Sequence, residues 1–506
     1  MNISELLSRN SRKYPLQEAV VSDRVRLTYK ELNSRVNKLA NALLEKGFGK
    51  GDKVVLYMPN TPEFIVTYFA VLRVGGIIVP VNAKLTASEL SYILTHSDAK
   101  SLFVHEWLFD QVKDLPELHS TLALYKTGQR VEHWESFEEL LDSGRDMEVL
   151  CSLKEDDEST MLYTSGTTGN PKGVVFTYRN ILTVAVMMAV EMTMKPESRI
   201  LHLMPLSHSA PLHLFLVAGT FVGATHIVAP TFTPELLLKL VSEEKVTHFF
   251  GAPVAYLFTA KQPNLEDYDL SSVQYWVYGG APLGQKEVGF VKQRFKTNSL
   301  YCVYGLTEAG PSGTLLLAEE HEHKAGSIGK RAALGTEIAI FNDKGQPVEP
   351  GEVGEIVLKG ESIMKGYYKD EEKTSEALKD GWLYTGDMAR YDEDGYIWVV
   401  DRKKDMIISG GVNIYPKEIE ELLTTHPSIG EVAVVGVPHP EWGETVKAFI
   451  VLSQPVENIE EECKGFLFGK LASYKVPKLY EVINELPRNV TGKILKQVLR
   501  KEEQSV

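Results

Sequence analysis

The densest chemistry in the chain lies between Tyr163 and Gly173, in the segment YTSGTTGNPKG. It holds the hydroxyl-bearing residues Thr164, Ser165, Thr167 and Thr168, the glycines Gly166, Gly169 and Gly173, and one cation, Lys172. Glycines let the backbone approach a ligand with its N–H groups turned inward. Hydroxyls add donors and lysine adds positive charge, so the set suits a polyphosphate. The P-loop pattern GxxxxGK[ST] is not met, because Lys172 follows Pro171 and Gly173 follows the lysine. A polar surface turn uses the same residue types, but rarely so many in so short a run.

Further segments follow in order: Pro205-Leu-Ser-His208, Gly279-Gly280-Ala281-Pro282, Tyr304-Gly305-Leu-Thr307-Glu308, Tyr384-Thr-Gly-Asp387, Asp401-Arg402-Lys-Lys404-Asp, Ser409-Gly410-Gly411 and Pro487-Arg-Asn-Val-Thr-Gly-Lys493. Each alone has a plain reading. His208 would be a core histidine, GGAP and TGD turns, DRKKD a solvated charge cluster, and Lys493 an exposed charge near the terminus.

In this order, across nearly the whole chain, the segments resemble the signature motifs of the adenylate-forming superfamily. That superfamily comprises acyl- and aryl-CoA synthetases, adenylation domains of nonribosomal peptide synthetases and beetle luciferases. The resemblance implies an acid–thiol ligase. A carboxylic acid would attack the α-phosphate of ATP, pyrophosphate would leave, and the acyl-adenylate would pass its acyl group to coenzyme A. It implies a phosphate grip by Thr164, Ser165, Gly166, Thr167, Thr168 and Lys172, and adenine contacts from Gly279, Gly280, Ala281, Tyr304 and Gly305. It places Thr307 near the α-phosphate, Glu308 at Mg²⁺, Asp387 at the ribose, Arg402 at the ribose or phosphate, and His208 at the border of the acyl pocket. Lys404 becomes the hinge, Gly410 and Gly411 line a pantetheine tunnel, and Lys493 is the lysine that enters the site during adenylation. The residues before Tyr304, Tyr301-Cys302-Val303, depart from the glutamine- and glycine-containing form common in relatives.

The resemblance is nearest to bacterial fatty-acyl-CoA synthetases, carried by SGTLLLAEE, GYYKD, DRKKDMIISGG, NIYPKEIE and LPRNVTGKILK. It implies a medium- or long-chain fatty acid in a pocket built from His208, Ser209, Ala210, Val254, Tyr256, Gly279, Gly305, Ala309 and Gly310. The alternatives are an aryl-CoA ligase, an adenylating enzyme that loads a carrier protein, and a nucleotide-binding module without catalysis. The retained Glu308 and Lys493 argue against the last.

These residues need a scaffold, and its elements are legible. Thr28 with Glu31 and Thr86 with Glu89 form capping boxes, and Thr61-Pro62 opens a third helix. Short apolar runs at Val54–Leu56, Ile77–Val79 and Leu102–Val104 alternate with those helices, which predicts an α/β sheet. After about Gly335, short strands separated by NDKG, EPGE and DEDG predict a β-rich subdomain over 335–401. The expected organisation is therefore α/β: a large N-terminal domain, residues 1–401, of α/β subdomains plus the β-rich one, hinged to a small C-terminal α+β domain, residues 402–506. At 506 residues the chain exceeds what one core usually supports.

Lys and Arg total 54 against 68 Asp and Glu, for a net charge of −14, which disfavours nucleic acid as a partner. Three scattered cysteines, Cys151, Cys302 and Cys463, predict neither disulfides nor zinc, and with no apolar signal core near Met1 they point to the cytoplasm. The uncharged stretch from Leu201 to Pro234 is broken by prolines and glycines and reads as buried core near a cleft. The small-molecule partner is a carboxylic acid. A fatty one is compatible with peripheral membrane contact, and no extension or coiled-coil heptad specifies assembly.

Overall fold

The computed structural model describes residues 3, 5–115, 119, 121–164, 171–488 and 494–504, with backbone alone for 501–504. The chain divides into two compact units, a larger one of Met1–Ile338 with Leu358–Tyr384 and a smaller one of Ala339–Val357 with Thr385–Val506.

The larger unit is α/β and contains two sheets. In the first, Lys53–Tyr57, Ile77–Pro80, Ser101–Val104, Ala123–Lys126, Glu135–Ser136 and Glu158–Thr164 run parallel. Lys172–Thr177 then pairs antiparallel to Glu158–Thr164, and Gly366–Tyr367 pairs antiparallel to Lys172–Thr177. Helices Tyr29–Glu45, Pro62–Arg73 and Ala87–His96 begin where the caps predict, and the capping boxes at Thr28 and Thr86 are closed. Apolar runs with no polar alternation suit strands covered on both faces. Val55, Val79, Leu102 and Met161 accordingly lie in one buried cluster with Leu90 and Ile93.

The second sheet has a parallel centre, Glu18–Val21, Thr225–Val228, Arg199–His202, His248–Gly251, Tyr275–Gly279 and Leu300–Tyr304. Thr314–Leu316 and Arg331–Ala332 extend it antiparallel. The uncharged stretch after Leu201 is buried as expected, but it is wound as a π-helix over Ala210–Val217 that continues into an α-helix at Ala218–Val222. Every residue from Pro211 to Thr220 is buried. No described helix is long and apolar enough to cross a membrane.

In the smaller unit, two long antiparallel strands, Ile429–His439 and Gly443–Leu452, carry helices Pro416–Leu423 and Ile459–Leu467. Ile419, Leu423, Val434, Ile450, Cys463 and Leu467 form its main core. Ala433, Val435, Phe449, Leu486 and Leu499 form a second core on the opposite face, as side-chain alternation along a strand requires. The same unit contains the pairing of strands Trp382–Tyr391 and Ile397–Arg402. The DRKKD segment is ordered: Asp401 and Arg402 end a strand, and Lys403–Asp405 make one 3₁₀ turn. The cysteines are unpaired.

Candidate active site

In the larger unit the candidate residues gather at the carboxyl ends of parallel strands, the usual ligand position in open α/β sheets. Thr164 ends Glu158–Thr164, Gly279 ends Tyr275–Gly279, and Tyr304 ends Leu300–Tyr304. The glycine-rich loop leaves the sheet at Thr164 and returns at Lys172, and these two are register partners. The Tyr92 hydroxyl donates to the Pro171 carbonyl at 3.3 Å, and the Tyr163 hydroxyl meets His96 Nδ1 at 2.7 Å, which ties both ends of the loop to helix Ala87–His96. Burial lowers the pKa of His96 and raises that of Tyr163, so both are neutral near pH 7. Ser165, Gly166, Thr167 and Thr168 lie outside the described residues.

A continuous line of contacts joins the remaining candidates. Lys172 Nζ sits 4.7 Å from the centre of the Tyr367 ring. The Tyr367 hydroxyl donates to Glu308 Oε1 at 3.0 Å. Glu308 belongs to the 3₁₀ turn Thr307–Ala309, and its carbonyl accepts from Met364 N at 2.8 Å. In the same turn the Thr307 hydroxyl lies 3.2 Å from that of Ser209. The adjacent His208 meets the Asn82 amide through Nε2 at 3.2 Å.

Asn82 Oδ1 accepts from Lys84 N at 2.9 Å, so its NH₂ faces the histidine, Nε2 accepts, and Nδ1 carries the proton. Burial lowers the His208 pKa and keeps the ring neutral. Burial, and then the Glu308 charge, raises the Tyr367 pKa and keeps its hydroxyl a donor.

The glycines differ in what they do. A Cβ on Gly305 would lie 1.9 Å from the Pro311 carbonyl oxygen, and one on Gly279 would lie 2.7 Å from that of Val303, so both permit close packing of the chain on itself. Gly280 and Ala281 are exposed, and Gly280 has φ +83° with open space where a Cβ would point. Of the expected pocket residues, Ser209, Ala309 and Gly310 are buried around the Thr307 turn. Ala210 is half-buried at the start of the π-helix, and Val254 is exposed on helix Pro253–Ala260. Tyr256 is fully buried among Phe249, Trp276, Tyr278 and Phe295, with its hydroxyl donated to the Val277 carbonyl at 2.7 Å, so its place is the core and not a pocket wall.

In the smaller unit, register pairs Asp387 with Arg402 across two strands, and Arg402 Nε meets Asp387 Oδ1 at 2.7 Å. Asp387 is buried, and Arg402 is partly exposed. Lys404 is exposed, and its carbonyl accepts from Arg500 Nη1 at 3.2 Å. Gly410 and Gly411 have φ of +57° and +81°, and nothing lies within 4 Å of a Cβ built on either. A backbone bare of side chains beside open space fits a slender pantetheine arm. Lys493 lies outside the described residues.

Two contributors were given no site role from the sequence. Tyr367 lies in GYYKD, where only strand pairing shows that it reaches Glu308. Asn82 lies in a loop more than a hundred residues before His208. Among the described residues no three His, Cys, Asp or Glu side chains gather as a metal cage. A single carboxylate such as Glu308 suits Mg²⁺, which keeps several waters and takes substrate phosphates as its other ligands.

An α/β scaffold with a glycine- and hydroxyl-rich loop and one acidic residue at its strand ends, followed by a smaller domain, defines a nucleotide-activating enzyme. The AMP-binding enzyme model matches residues 7–368, and the AMP-binding enzyme C-terminal domain model matches 418–493. The chain belongs to the AMP-binding enzymes, the adenylate-forming family, and is an AMP-forming acyl- or aryl-CoA ligase that uses ATP.

It is 39% identical to a feruloyl-CoA synthase of Amycolatopsis sp, with 97% of each chain covered. It is 35% identical to the long-chain-fatty-acid–CoA ligase FadD13 of Mycobacterium tuberculosis, over 99% of this chain and 98% of the relative. Among solved structures it is similar to the o-succinylbenzoate CoA synthetase of Bacillus subtilis in complex with its acyl-adenylate intermediate, with a TM-score of 0.86, 29% identity and 98% of each chain covered.

Proposed function

We propose that the acid is a medium- or long-chain fatty acid and that the thiol is free coenzyme A, in a cytoplasmic setting. The observation that supports this choice is the wall beside Thr307. Ser209 and Ala210 are small, Ser209 meets Thr307, and His208 is neutral. A lining of this kind offers an alkyl chain burial and offers nothing to a second charged group. The aryl reading is supported by the 39% identity to a feruloyl-CoA synthase and by the likeness to an o-succinylbenzoate CoA synthetase.

In this reading a carboxylate oxygen of the acid attacks the α-phosphorus, the bond to the bridging oxygen breaks, and pyrophosphate leaves. Thr307 donates to the α-phosphate, Lys172 and the loop hold the outer phosphates, and Lys493 neutralises charge that develops on the phosphoryl oxygens. Glu308 would hold Mg²⁺, which would supply charge neutralisation on the phosphates. Asp387 accepts from the ribose hydroxyls while Arg402 fixes its carboxylate. The coenzyme A sulfur then attacks the acyl carbonyl and AMP leaves. Gly410 and Gly411 leave room for the thiol arm, and rotation about Lys404 exchanges Lys493 for that arm.

The test supplies the purified protein with ATP, Mg²⁺, coenzyme A and one acid at a time: acetate, hexanoate, laurate, palmitate, benzoate, 4-coumarate, ferulate and o-succinylbenzoate. AMP and acyl-CoA are quantified for each. The highest kcat/KM is expected for laurate or palmitate. A maximum at ferulate or 4-coumarate overturns the fatty-acid reading and leaves the chemistry intact, and AMP without acyl-CoA overturns free coenzyme A as acceptor.

A further inference from the structure

Between the cation of the phosphate loop and the acidic residue of the 3₁₀ turn stands one aromatic ring that none of the roles above employs. Tyr367 is fixed there by backbone. Gly366 and Tyr367 pair with Val175 and Val174, Tyr368 N donates to the Gly173 carbonyl at 2.8 Å, and Tyr367 N donates to Thr374 Oγ1 at 2.9 Å. The neighbouring Tyr368 and Lys369 are held in turn by Asp98, at 2.7 and 2.8 Å. The ring therefore lies alongside the strand that begins at Lys172. Its face carries the Lys172 ammonium, and its hydroxyl binds one oxygen of Glu308.

Among the described residues Lys172 makes no ion pair, although Glu308 is bound to the far edge of the same ring. Opposite charges flanking one ring attract each other, and the ring that stands between them keeps them from direct contact. An aromatic face is an alternative resting place for an ammonium, and a phenol hydroxyl is an alternative donor for a carboxylate.

We infer that Tyr367 is a positioning residue. It separates Lys172 from Glu308, holding the first on its face and the second on its hydroxyl, so that neither charge is neutralised by the other before Mg·ATP arrives. With Oε1 taken by the phenol, Oε2 of Glu308 is the oxygen presented to the cation. This rests on the reading of Glu308 as the Mg²⁺-facing residue, and the test separates the two.

The readout is ATP binding to the full chain by titration calorimetry, in EDTA and in Mg²⁺, without acid or coenzyme A. The ratio of the two dissociation constants measures how strongly the cation and nucleotide cooperate. Tyr367→Phe keeps the ring and removes the donor, and is expected to reduce that ratio about tenfold, the worth of one hydrogen bond to a charged group. Tyr367→Ala also removes the ring, lets Lys172 pair with Glu308, and is expected to weaken ATP binding in EDTA by about tenfold as well, since the lysine is then engaged. Glu308→Gln is the reference and is expected to abolish the cooperation. Thermal melting of each variant secures the fold. If Glu308→Gln abolishes the cooperation and both Tyr367 variants retain it in full, Tyr367 has no positioning role and the inference falls. If Glu308→Gln retains it, the assignment of Glu308 itself falls.

Discussion

Mild acid should destabilise the larger unit before carboxylates begin to titrate, because that unit buries neutral imidazoles. His213, His248 and His321 are fully buried. Burial pushes their pKa values down, to about 3 for His213 and about 4 for His248 and His321. His248 and His321 use their ring nitrogens in hydrogen bonds, to Thr247 and the Met192 carbonyl and to Tyr278 and the Leu317 carbonyl. His213 has no hydrogen-bond partner of normal geometry among the described residues.

In the unfolded chain each imidazole returns to its ordinary pKa near 6.5. Stability from these groups is therefore complete above that pH and is lost as pH falls toward the folded values. Between pH 7 and 5.5 each histidine costs about 1.2 kcal/mol, so the three remove about 4 kcal/mol, a large share of a typical domain stability. The buried His202–His226 pair is shifted in the same direction and adds to the loss.

The assay is urea unfolding followed by tryptophan fluorescence at half-unit steps from pH 7 to 5.5. The steps stay above the ordinary carboxylate range, and Glu420, whose pKa burial raises, belongs to the smaller unit. His213→Leu, which removes one buried imidazole, should reduce the proton uptake on unfolding at pH 5.5 by about one. Stability that is unchanged across the window, or a proton uptake unmoved by His213→Leu, would refute the reasoning.

Three perturbations address the chemistry. Asp387→Asn should raise the KM for ATP about tenfold or more, the loss of hydrogen bonds to a charged acceptor, and should lose little further with 2′-deoxy-ATP; if both nucleotides suffer in full, Asp387 does not hold the ribose. Lys493→Ala should cripple adenylation and spare thioester formation from preformed acyl-adenylate, whereas Gly411→Leu should do the reverse; loss of both half-reactions in either well-folded variant refutes the alternating roles. Asn82→Ala frees the His208 tautomer and should lower kcat/KM for the acid on the order of fivefold, with the KM for ATP unmoved and altered ring nitrogen shifts in ¹⁵N spectra; unchanged shifts would show that Asn82 does not set the tautomer.

Much of the scaffold was legible because its causes are local. A capping box closes within three residues, so Thr28 and Thr86 mark helix starts before any fold exists. Apolar runs such as Val54–Leu56 declare doubly covered strands by composition. Features without a local cause were missed. The uncharged stretch after Leu201 has no polar face to reveal a period, so its π-helical winding could not be foreseen. The TGD tripeptide carried turn residues, yet it lies within the ten-residue strand Trp382–Tyr391, where Gly386 takes φ +72° and Asp387 faces Arg402.

The sequence by itself determined which side chains are on offer and in what order: a loop of hydroxyls, glycines and a lysine, then the carboxylates of Glu308 and Asp387. Residue type decides these, because hydrogen-bonding capacity and charge belong to the side chain wherever it lies. The tertiary structure decided which of those groups meet. Strand register brings Tyr367 between Lys172 and Glu308 from nearly two hundred residues beyond the loop, an Asn82 turn selects the His208 tautomer, and a carbonyl 1.9 Å from a missing Cβ makes Gly305 a packing glycine. Such contacts depend on pairing between distant segments, and no local pattern encodes the distance between them.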